Sequence, residues 1–197
     1  KYKLNIITHE SIKDTALRRK YPNFVSREGA KGQEFNGFSS NGINHATDLP
    51  FTRLLSGPMD YTPGIFQLKN FRFDSPGSDK IDKNGVVPST IAKELALYVV
   101  YYSPMQMAAD LPKHYEKHPE AFEFIKDVPV EWSERKIINS KISEFITIAR
   151  KDKYSDNWYM GGISDERERN FTIDLTFLEK NQKYNFRIFK DTKSTHW

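Results

Sequence analysis

Residues 21–34 read YPNFVSREGAKGQE, a short apolar run followed by acidic residues and glycines. The run from Asn23 to Ser26 is a predicted strand, bounded on both sides by turn-forming or polar residues. Glu28 and Glu34 come after this strand, at its carboxyl end. Acidic groups at that end of a strand are typical of the catalytic face of a βα barrel.

Two further segments have the same order. A predicted strand from Lys3 to Thr8 is followed by His9 and Glu10, and a third candidate, Gly57 to Tyr61, contains Asp60. In a parallel barrel the carboxyl ends of successive strands share one face, so these groups are expected to meet. The sequence therefore predicts strands of a βα barrel that carry these groups on its catalytic face.

Helical patterns begin after residue 90. Four apolar residues lie on one predicted helix face, at Ile91, Leu95, Tyr98 and Tyr102. Pro104 interrupts this helix, and a second helical stretch is predicted from Met105 to Leu111. Pro119 is suited to the first position of a further helix, which carries Phe122 and Ile125 on one side.

The pattern changes to alternation near residue 128. Four short strands are predicted, at Ile142–Ile148, Trp158–Met160, Phe171–Leu175 and Tyr184–Ile188. Antiparallel strands at this spacing indicate part of a β-sandwich. We therefore expect an α/β region at 1–127, the barrel part, and an all-β region at 128–197, a small antiparallel β-sandwich domain that is truncated.

Composition narrows the class of protein. The chain has 197 residues, 38% of them hydrophobic, and no cysteine, which excludes disulfides, thiolate metal sites and a cysteine nucleophile. No apolar run approaches the roughly 18 residues of a membrane helix. The 30 basic and 26 acidic residues give a net charge of +4. The basic residues are spread among acidic ones, which disfavours a nucleic-acid-binding stripe.

The first residue is Lys1, and a strand-like run follows it at once. The other end stops at Trp197 after turn-like residues. We therefore expect a piece of a longer parent protein, in which a signal peptide would not be visible here. The piece by itself is expected to be inactive.

The three glutamates suggest chemistry. Glu10, Glu28 and Glu34 are separated by 18 and 6 residues, and neighbouring parallel strands would bring them to one edge. Carboxylates that share a site repel each other, so either one is protonated or a hard cation such as Ca²⁺ lies between them. Glycoside hydrolysis uses such a pair as acid and base or nucleophile. The alternative is that they are ordinary surface residues.

A calcium-binding loop elsewhere is not expected. Asp74, Asp79 and Asp82 lie in a region rich in Gly and Ser, but they do not alternate as ligands of a calcium loop do. We predict a surface loop for Ser75 to Asn84.

Motifs typical of one protein family are distributed over most of the chain. They are HESIKDT at 9–15, RR at 18–19, YPN at 21–23, REGAKGQE at 27–34, LPFTRLLSGPMDYTPG at 49–64, LYVVYYSPMQMAADL at 97–111 and VPVEW at 128–132. Together they resemble glycoside hydrolase family 97. The resemblance implies an N-terminal β-sandwich, a catalytic (β/α)8 barrel and a C-terminal β domain in the parent, which would be periplasmic or secreted. This chain would then supply the C-terminal part of the (β/α)8 TIM barrel and most of the C-terminal β domain. It also implies a calcium-dependent, exo-acting α-glycosidase that acts on oligosaccharides.

The resemblance implies specific roles. Glu34 matches the general acid, Glu10 matches the general base of inverting members, and His9 matches a substrate-binding position. Glu10, Glu28 and Glu34 match metal contacts. Asp60 and Arg53 have no single implied role, since an ion pair, support of the barrel edge and sugar contact all remain open.

The residue after His9 separates the subgroups. Inverting α-glucosidase-like members resemble a His-Glu pattern, whereas retaining α-galactosidase-like members resemble His-Gly and use an aspartate nucleophile from an earlier strand. Glu10 therefore favours an inverting α-glucosidase that releases terminal α-linked glucose. A retaining α-galactosidase and a non-catalytic carbohydrate-binding remnant are the alternatives. Which sugar is bound, the oligomeric state and any upstream catalytic residue are left open.

Overall fold

The computed structural model describes residues 3–10, 13–37, 40–69 and 86–195. The predicted surface loop at 75–84 lies outside these ranges. The strands are β1 (Ile6–Thr8), β2 (Phe24–Arg27), β3 (Trp132–Lys141), β4 (Phe145–Asp152) and β5 (Trp158–Ser164). The α-helices are α1 (Leu17–Lys20), α2 (His45–Asp48), α3 (Ile91–Val100), α4 (Pro112–Tyr115) and α5 (Pro119–Asp127). Short 3-10 turns span Gln33–Gly37, Leu49–Phe51 and Arg53–Ser56.

The first two predicted strands are confirmed, and they pair in parallel. Ile7 lies opposite Ser26 and Thr8 opposite Arg27. The third candidate, Gly57 to Tyr61, forms only an isolated parallel bridge, between Met59 and Arg27. The described ranges thus contain a two-stranded parallel sheet with a third segment beside β2, and they do not form a closed barrel.

Helix α3 begins and ends at side-chain hydrogen bonds. The hydroxyl of Thr90 accepts a hydrogen bond from the amide of Lys93 at 3.1 Å, which satisfies one free N–H of the first turn. At the other end, Arg150 of β4 donates to the carbonyls of Val99 at 2.6 Å and Val100 at 3.3 Å. These carbonyls have no partner inside the helix, so Arg150 joins the helix end to the β-sheet.

Two helix predictions are wrong. Tyr102 lies beyond the end of α3, and Met105–Leu111 contains no helix. Side chains form hydrogen bonds with this backbone instead. For example, the hydroxyl of Tyr98 donates to the carbonyl of Met107 at 2.6 Å. The prediction of a helix beginning at Pro119 is confirmed by α5.

The C-terminal sheet is an antiparallel meander in the order β3-β4-β5. Gly161 of β5 faces α3, where an added Cβ would lie 2.7 Å from the carbonyl oxygen of Ala96. Only glycine permits this close approach of strand and helix. The sheet therefore packs directly against α3.

The strand predictions in this region are partly corrected. The predicted segments near 142–148 and 158–160 correspond to β4 and β5. Sequence reasoning missed β3, because its residues are mostly polar and do not alternate. The described structure has no strand at Phe171–Leu175 or at Tyr184–Ile188, so the sheet has three strands and not four. A small antiparallel β unit is present, but it is not a two-layered sandwich.

One hydrophobic cluster connects the two halves of the chain. Its members come from the segment after the parallel sheet, from α3 and from the antiparallel sheet, and include Met59, Tyr61, Leu97, Tyr101, Ile146 and Ile163. Burial of apolar area in a shared core holds these parts together. The domain boundary at residue 127 stays a prediction. Among the described helices, none is long and apolar enough to cross a membrane.

Candidate functional site

Three side chains meet at the carboxyl ends of β1 and β2. His9 follows β1, Glu28 follows β2, and Glu34 lies in the 3-10 turn Gln33–Gly37. Their ligand atoms lie within 4.8 Å of one another. We call His9, Glu28 and Glu34 the convergent group. Parallel pairing explains why residues that are distant in the sequence reach the same edge.

A hydrogen bond orients the imidazole of His9. Its Nε2 lies 2.7 Å from Oδ2 of Asp60, whose carboxyl is almost completely buried. The other ring nitrogen, Nδ1, lies 3.8 Å from Glu34 Oε1 and 4.0 Å from Glu28 Oε2. The hydrogen bond to Asp60, and the negative charges of Asp60, Glu28 and Glu34, raise the pKa of His9 against the opposing effect of burial.

The convergent group favours a positive charge. When Nε2 donates its proton to Asp60, Nδ1 faces two carboxylates. A lone pair on Nδ1 would be repelled there, so a proton on Nδ1 or a cation in the space between balances the charge. Glu28 and Glu34 have the carboxylate oxygens that Ca²⁺ prefers, whereas an imidazole nitrogen is not a typical calcium ligand. The two glutamates thus fit a hard cation.

Glu10 is placed differently from the other predicted site residues. Its backbone N–H donates a hydrogen bond to Glu28 Oε2 at 2.7 Å. Its carboxylate is exposed and does not belong to the convergent group. The backbone of Glu10 has φ = 50°, in the left-handed region that glycine adopts freely and glutamate rarely adopts.

Contacts with residues 61–62 hold the turn that carries Glu34. The amide of Gln33 donates to the carbonyl of Tyr61 at 2.9 Å, and the amide of Glu34 makes a longer contact of 3.4 Å to the hydroxyl of Thr62. An added Cβ at Gly32 would lie 3.0 Å from that hydroxyl. The position of Glu34 therefore depends on a segment far away in the sequence.

Arg53 holds the backbone at the carboxyl end of β2. Its guanidinium donates to the carbonyl of Glu28 at 2.9 Å and to that of Arg27 at 2.7 Å. It also donates to the carbonyls of Gly57 at 3.1 Å and Pro58 at 3.0 Å. Burial lowers the pKa of Arg53 to about 10, and the charges of two neighbouring arginines act in the same direction. Arg53 thus serves as support for the backbone that carries Glu28.

The sequence left Asp60 and Arg53 without an assigned role. The structure shows that Asp60 pairs with His9 and that Arg53 binds carbonyl groups, so the two do not form an ion pair with each other. The signal available in the sequence was the long motif at 49–64, which contains both residues, and the structure buries both side chains.

Comparisons with known proteins agree on one family. Residues 131–196 match the family model described as "Glycosyl-hydrolase 97 C-terminal, oligomerisation". The chain is 36% identical to the retaining alpha-galactosidase of Bacteroides thetaiotaomicron, over 100% of this chain and 29% of that protein. It is 30% identical to the probable retaining alpha-galactosidase of Streptomyces bingchenggensis, over 78% of this chain and 21% of that protein. The chain thus spans less than a third of the length of these relatives.

Solved structures give the same result. A glycoside hydrolase family 97 enzyme from Pseudoalteromonas sp. strain K8 is 49% identical, with a TM-score of 0.79, over 91% of this chain and 27% of that one. It is known in complexes with panose and with acarbose. A beta-arabinopyranosidase, 22% identical with a TM-score of 0.58 over 73% of this chain and 22% of that one, shares the fold alone.

Local motifs, a family-model match and the similarity of the whole described fold lead to the same assignment. The chain belongs to glycoside hydrolase family 97.

Proposed function

We propose that this chain is the C-terminal part of a calcium-dependent, exo-acting α-glycosidase, specifically an inverting α-glucosidase acting on oligosaccharides. The observation that carries the proposal is the convergent group, in which two carboxylates and an oriented imidazole meet at the ends of parallel strands. In this proposal the strands belong to a (β/α)8 barrel, whose catalytic groups lie on that face.

In the proposed reaction Glu34 donates a proton to the leaving glycosidic oxygen. Glu10 takes a proton from the water that attacks the anomeric carbon from the opposite face. The glycosidic bond breaks as the new C–O bond forms, so the released sugar has inverted configuration. His9, held by Asp60, contacts the sugar.

The backbone of Glu10 supports inversion. A non-glycine residue in the left-handed region costs about 1 kcal/mol or more, and glycine would avoid this cost. The retaining subgroup resembles a His-Gly pattern, which suits this conformation without strain. Glutamate is expected here only if its carboxylate has a use, and a general base at the exposed end of β1 is such a use.

Calcium fits the two carboxylates of Glu28 and Glu34. When bound there, Ca²⁺ would keep Glu28 ionised and orient oxygen groups of the substrate, and Glu34 would contact it through one carboxyl oxygen while the other carries the proton used in catalysis. The amide of Glu10 and the backbone contacts of Arg53 hold Glu28 in place for this role.

Evidence on the sugar points in two directions. The relative of higher identity binds panose, a trisaccharide of α-linked glucose, which supports a glucosidase. The relative at 36% identity is named a retaining alpha-galactosidase, and this makes retaining α-galactosidase activity the second candidate. Both candidates are α-glycosidases.

Two further properties are part of the proposal. The description of the matched family model includes oligomerisation, so we propose that 131–196 contributes to contacts between copies of the protein. We also propose that the parent protein is periplasmic or secreted, which fractionation of the cells would test.

The test uses the full-length protein with panose and with an α-galactoside. We expect glucose release from panose, with the β-anomer formed first as observed by NMR. Glu34→Gln should lower kcat by about 10³-fold, in the range of a lost general acid. Glu168→Gln, at an exposed position, is the matched control. Retention on galactosides would establish the second candidate, and full activity of Glu34→Gln would contradict the role of Glu34.

A further inference from the structure

A completely buried carboxylate lies on helix α3, away from the convergent group. Glu94 has 0% exposure. Its Oε1 accepts a hydrogen bond from the side-chain amide of Gln33. Its Oε2 accepts from the backbone amides of Gly64 at 2.9 Å and Ile65 at 3.3 Å. A charge at such depth is unfavourable unless it is fully hydrogen-bonded, and these donors supply the bonds.

The partners of Glu94 belong to the two segments that hold Glu34. Gln33 directly precedes Glu34, and its Oε1 accepts a further hydrogen bond from the amide of Asn36 at 3.0 Å within the same turn. Gly64 lies two residues after Thr62, whose hydroxyl contacts the amide of Glu34. Glu94 thus bridges the turn at 33–37 and the loop at 61–65 from the interior side.

The type of side chain matters at this position. A glutamine at 94 would turn an NH₂ group toward one set of N–H donors, because only one of its two terminal atoms is an acceptor. Either Gln33 or the amides of Gly64 and Ile65 would then lose their partner. The turn that carries Glu34 would no longer be held from both sides.

We propose that Glu94 is a positioning residue for the general acid Glu34. It acts through Gln33 and through the loop at 61–65, and it does not touch the substrate. The inference rests on the proposed function, in which Glu34 protonates the leaving group. Desolvation raises the pKa of Glu94 to about 7, and the hydrogen bonds from the amides of Gly64 and Ile65 act in the opposite direction, in favour of the ionised form.

The test depends on the leaving group of the substrate. In an oligosaccharide substrate the leaving group is a sugar, which leaves poorly unless its glycosidic oxygen is protonated. In α-glucosyl fluoride the leaving group is fluoride, which needs little help from an acid. A misplaced acid therefore lowers kcat/KM on panose far more than on the fluoride. The ratio of the two values from one preparation is independent of the fraction of folded enzyme, so loss of stability alone does not change it.

The variants are made in the full-length protein. We expect Glu94→Gln to lower the panose-to-fluoride ratio by about 10²-fold, the effect of a displacement of the order of 1 Å. Gln33→Leu breaks the same link from the other side and should shift the ratio in the same direction. If Glu94→Gln does not fold, the ratio measured for Gln33→Leu tests whether this link positions Glu34.

Asp110 provides a matched control. Its carboxylate is also buried and accepts from the amides of Phe66 and Gln67, each at 2.7 Å, just beyond the same loop. It makes no contact with the turn at 33–37 among the hydrogen bonds of the described chain. Asp110→Asn should lower stability and leave the ratio unchanged.

The outcomes separate this inference from the proposed function. Glu34→Gln sets the full size of the ratio change. If Glu34→Gln shifts the ratio and both Glu94→Gln and Gln33→Leu leave it at the wild-type value, Glu94 is only structural and the inference is wrong. If Glu34→Gln does not shift the ratio, the proposed role of Glu34 fails first.

Discussion

His9 and Asp60 are joined by a 2.7 Å hydrogen bond across 51 residues of sequence. The bond connects the end of β1 to the segment around Met59, which forms a bridge with Arg27 of β2. It also determines which ring nitrogen of His9 faces the two glutamates. A buried carboxylate that orients an imidazole in this way sets both its tautomer and its charge.

Replacing Asp60 by Asn should lower kcat/KM on panose by about 10-fold. The pKa of His9 falls when the charge of Asp60 is removed, and the ring loses its fixed orientation. His9→Gln should cost at least as much, and the double variant should show little further loss because the two act as a unit. If the losses of the two single variants add up in the double variant, His9 and Asp60 are not coupled.

Replacing Glu10 by Gly tests inversion. The variant should fold at least as well as wild type, since φ = 50° suits glycine. Turnover should fall by about 10²-fold or more because the general base is lost. Azide attacks without a base, so sodium azide should restore cleavage and yield β-glucosyl azide. Unchanged hydrolysis in the variant would instead indicate a retaining enzyme with its nucleophile elsewhere.

Removal of calcium should lower activity and thermal stability together. A ligand that binds only the native state stabilises it by mass action, and chelation removes that contribution. EDTA should therefore lower both kcat and Tm of the wild type, and excess Ca²⁺ should restore them. Glu28→Gln should need more Ca²⁺ for the same recovery. If EDTA changes neither quantity, the ligand roles of Glu28 and Glu34 are wrong.

Arg53→Lys should destabilise the protein although it keeps the charge. A lysine ammonium has three donors without the planar fork, so it leaves some of the carbonyls now bound by Arg53 without a partner. We expect a loss of about 2 kcal/mol in the free energy of unfolding. Calcium affinity should fall too, because Glu28 is held by this contact. Arg19→Lys, at an exposed position, should change neither.

Stability should fall between pH 5 and pH 8 because of Glu94. Burial raises the pKa of this carboxyl from its ordinary 4.5 to about 7. Between these values the native state binds the proton and the unfolded chain does not, so stability is lost as the pH rises through about 7. The contribution is of the order of 3 kcal/mol. Urea unfolding at several pH values should show the slope in wild type and in Glu168→Gln. Glu94→Gln should reduce the slope, and the remainder includes His9, whose raised pKa contributes in the same direction.

Local patterns predicted several elements correctly. The strands near Lys3–Thr8 and Asn23–Ser26 and the helix from Pro119 all have their signals within a few residues. Predictions failed where distant groups satisfy the backbone. Met105–Leu111 is not helical, and its backbone bonds to Tyr98 and to the carbonyl of Pro63 instead, while β3 forms by pairing with β4 despite a polar pattern that does not alternate. Tertiary contacts outweigh propensity in such segments.

The sequence by itself determined the family, through long motifs, and the identity of the acidic residues near the strand ends. Only the tertiary structure decided which of them meet. His9, Glu28 and Glu34 converge, whereas Glu10 contributes its backbone amide to the group and its side chain is exposed. The sequence also did not show that Asp60 binds His9 or that Glu94 binds Gln33. The reason is physical: spacing along a chain limits where a residue can lie, but parallel strand pairing and buried hydrogen bonds between distant segments set the distances on which chemistry depends.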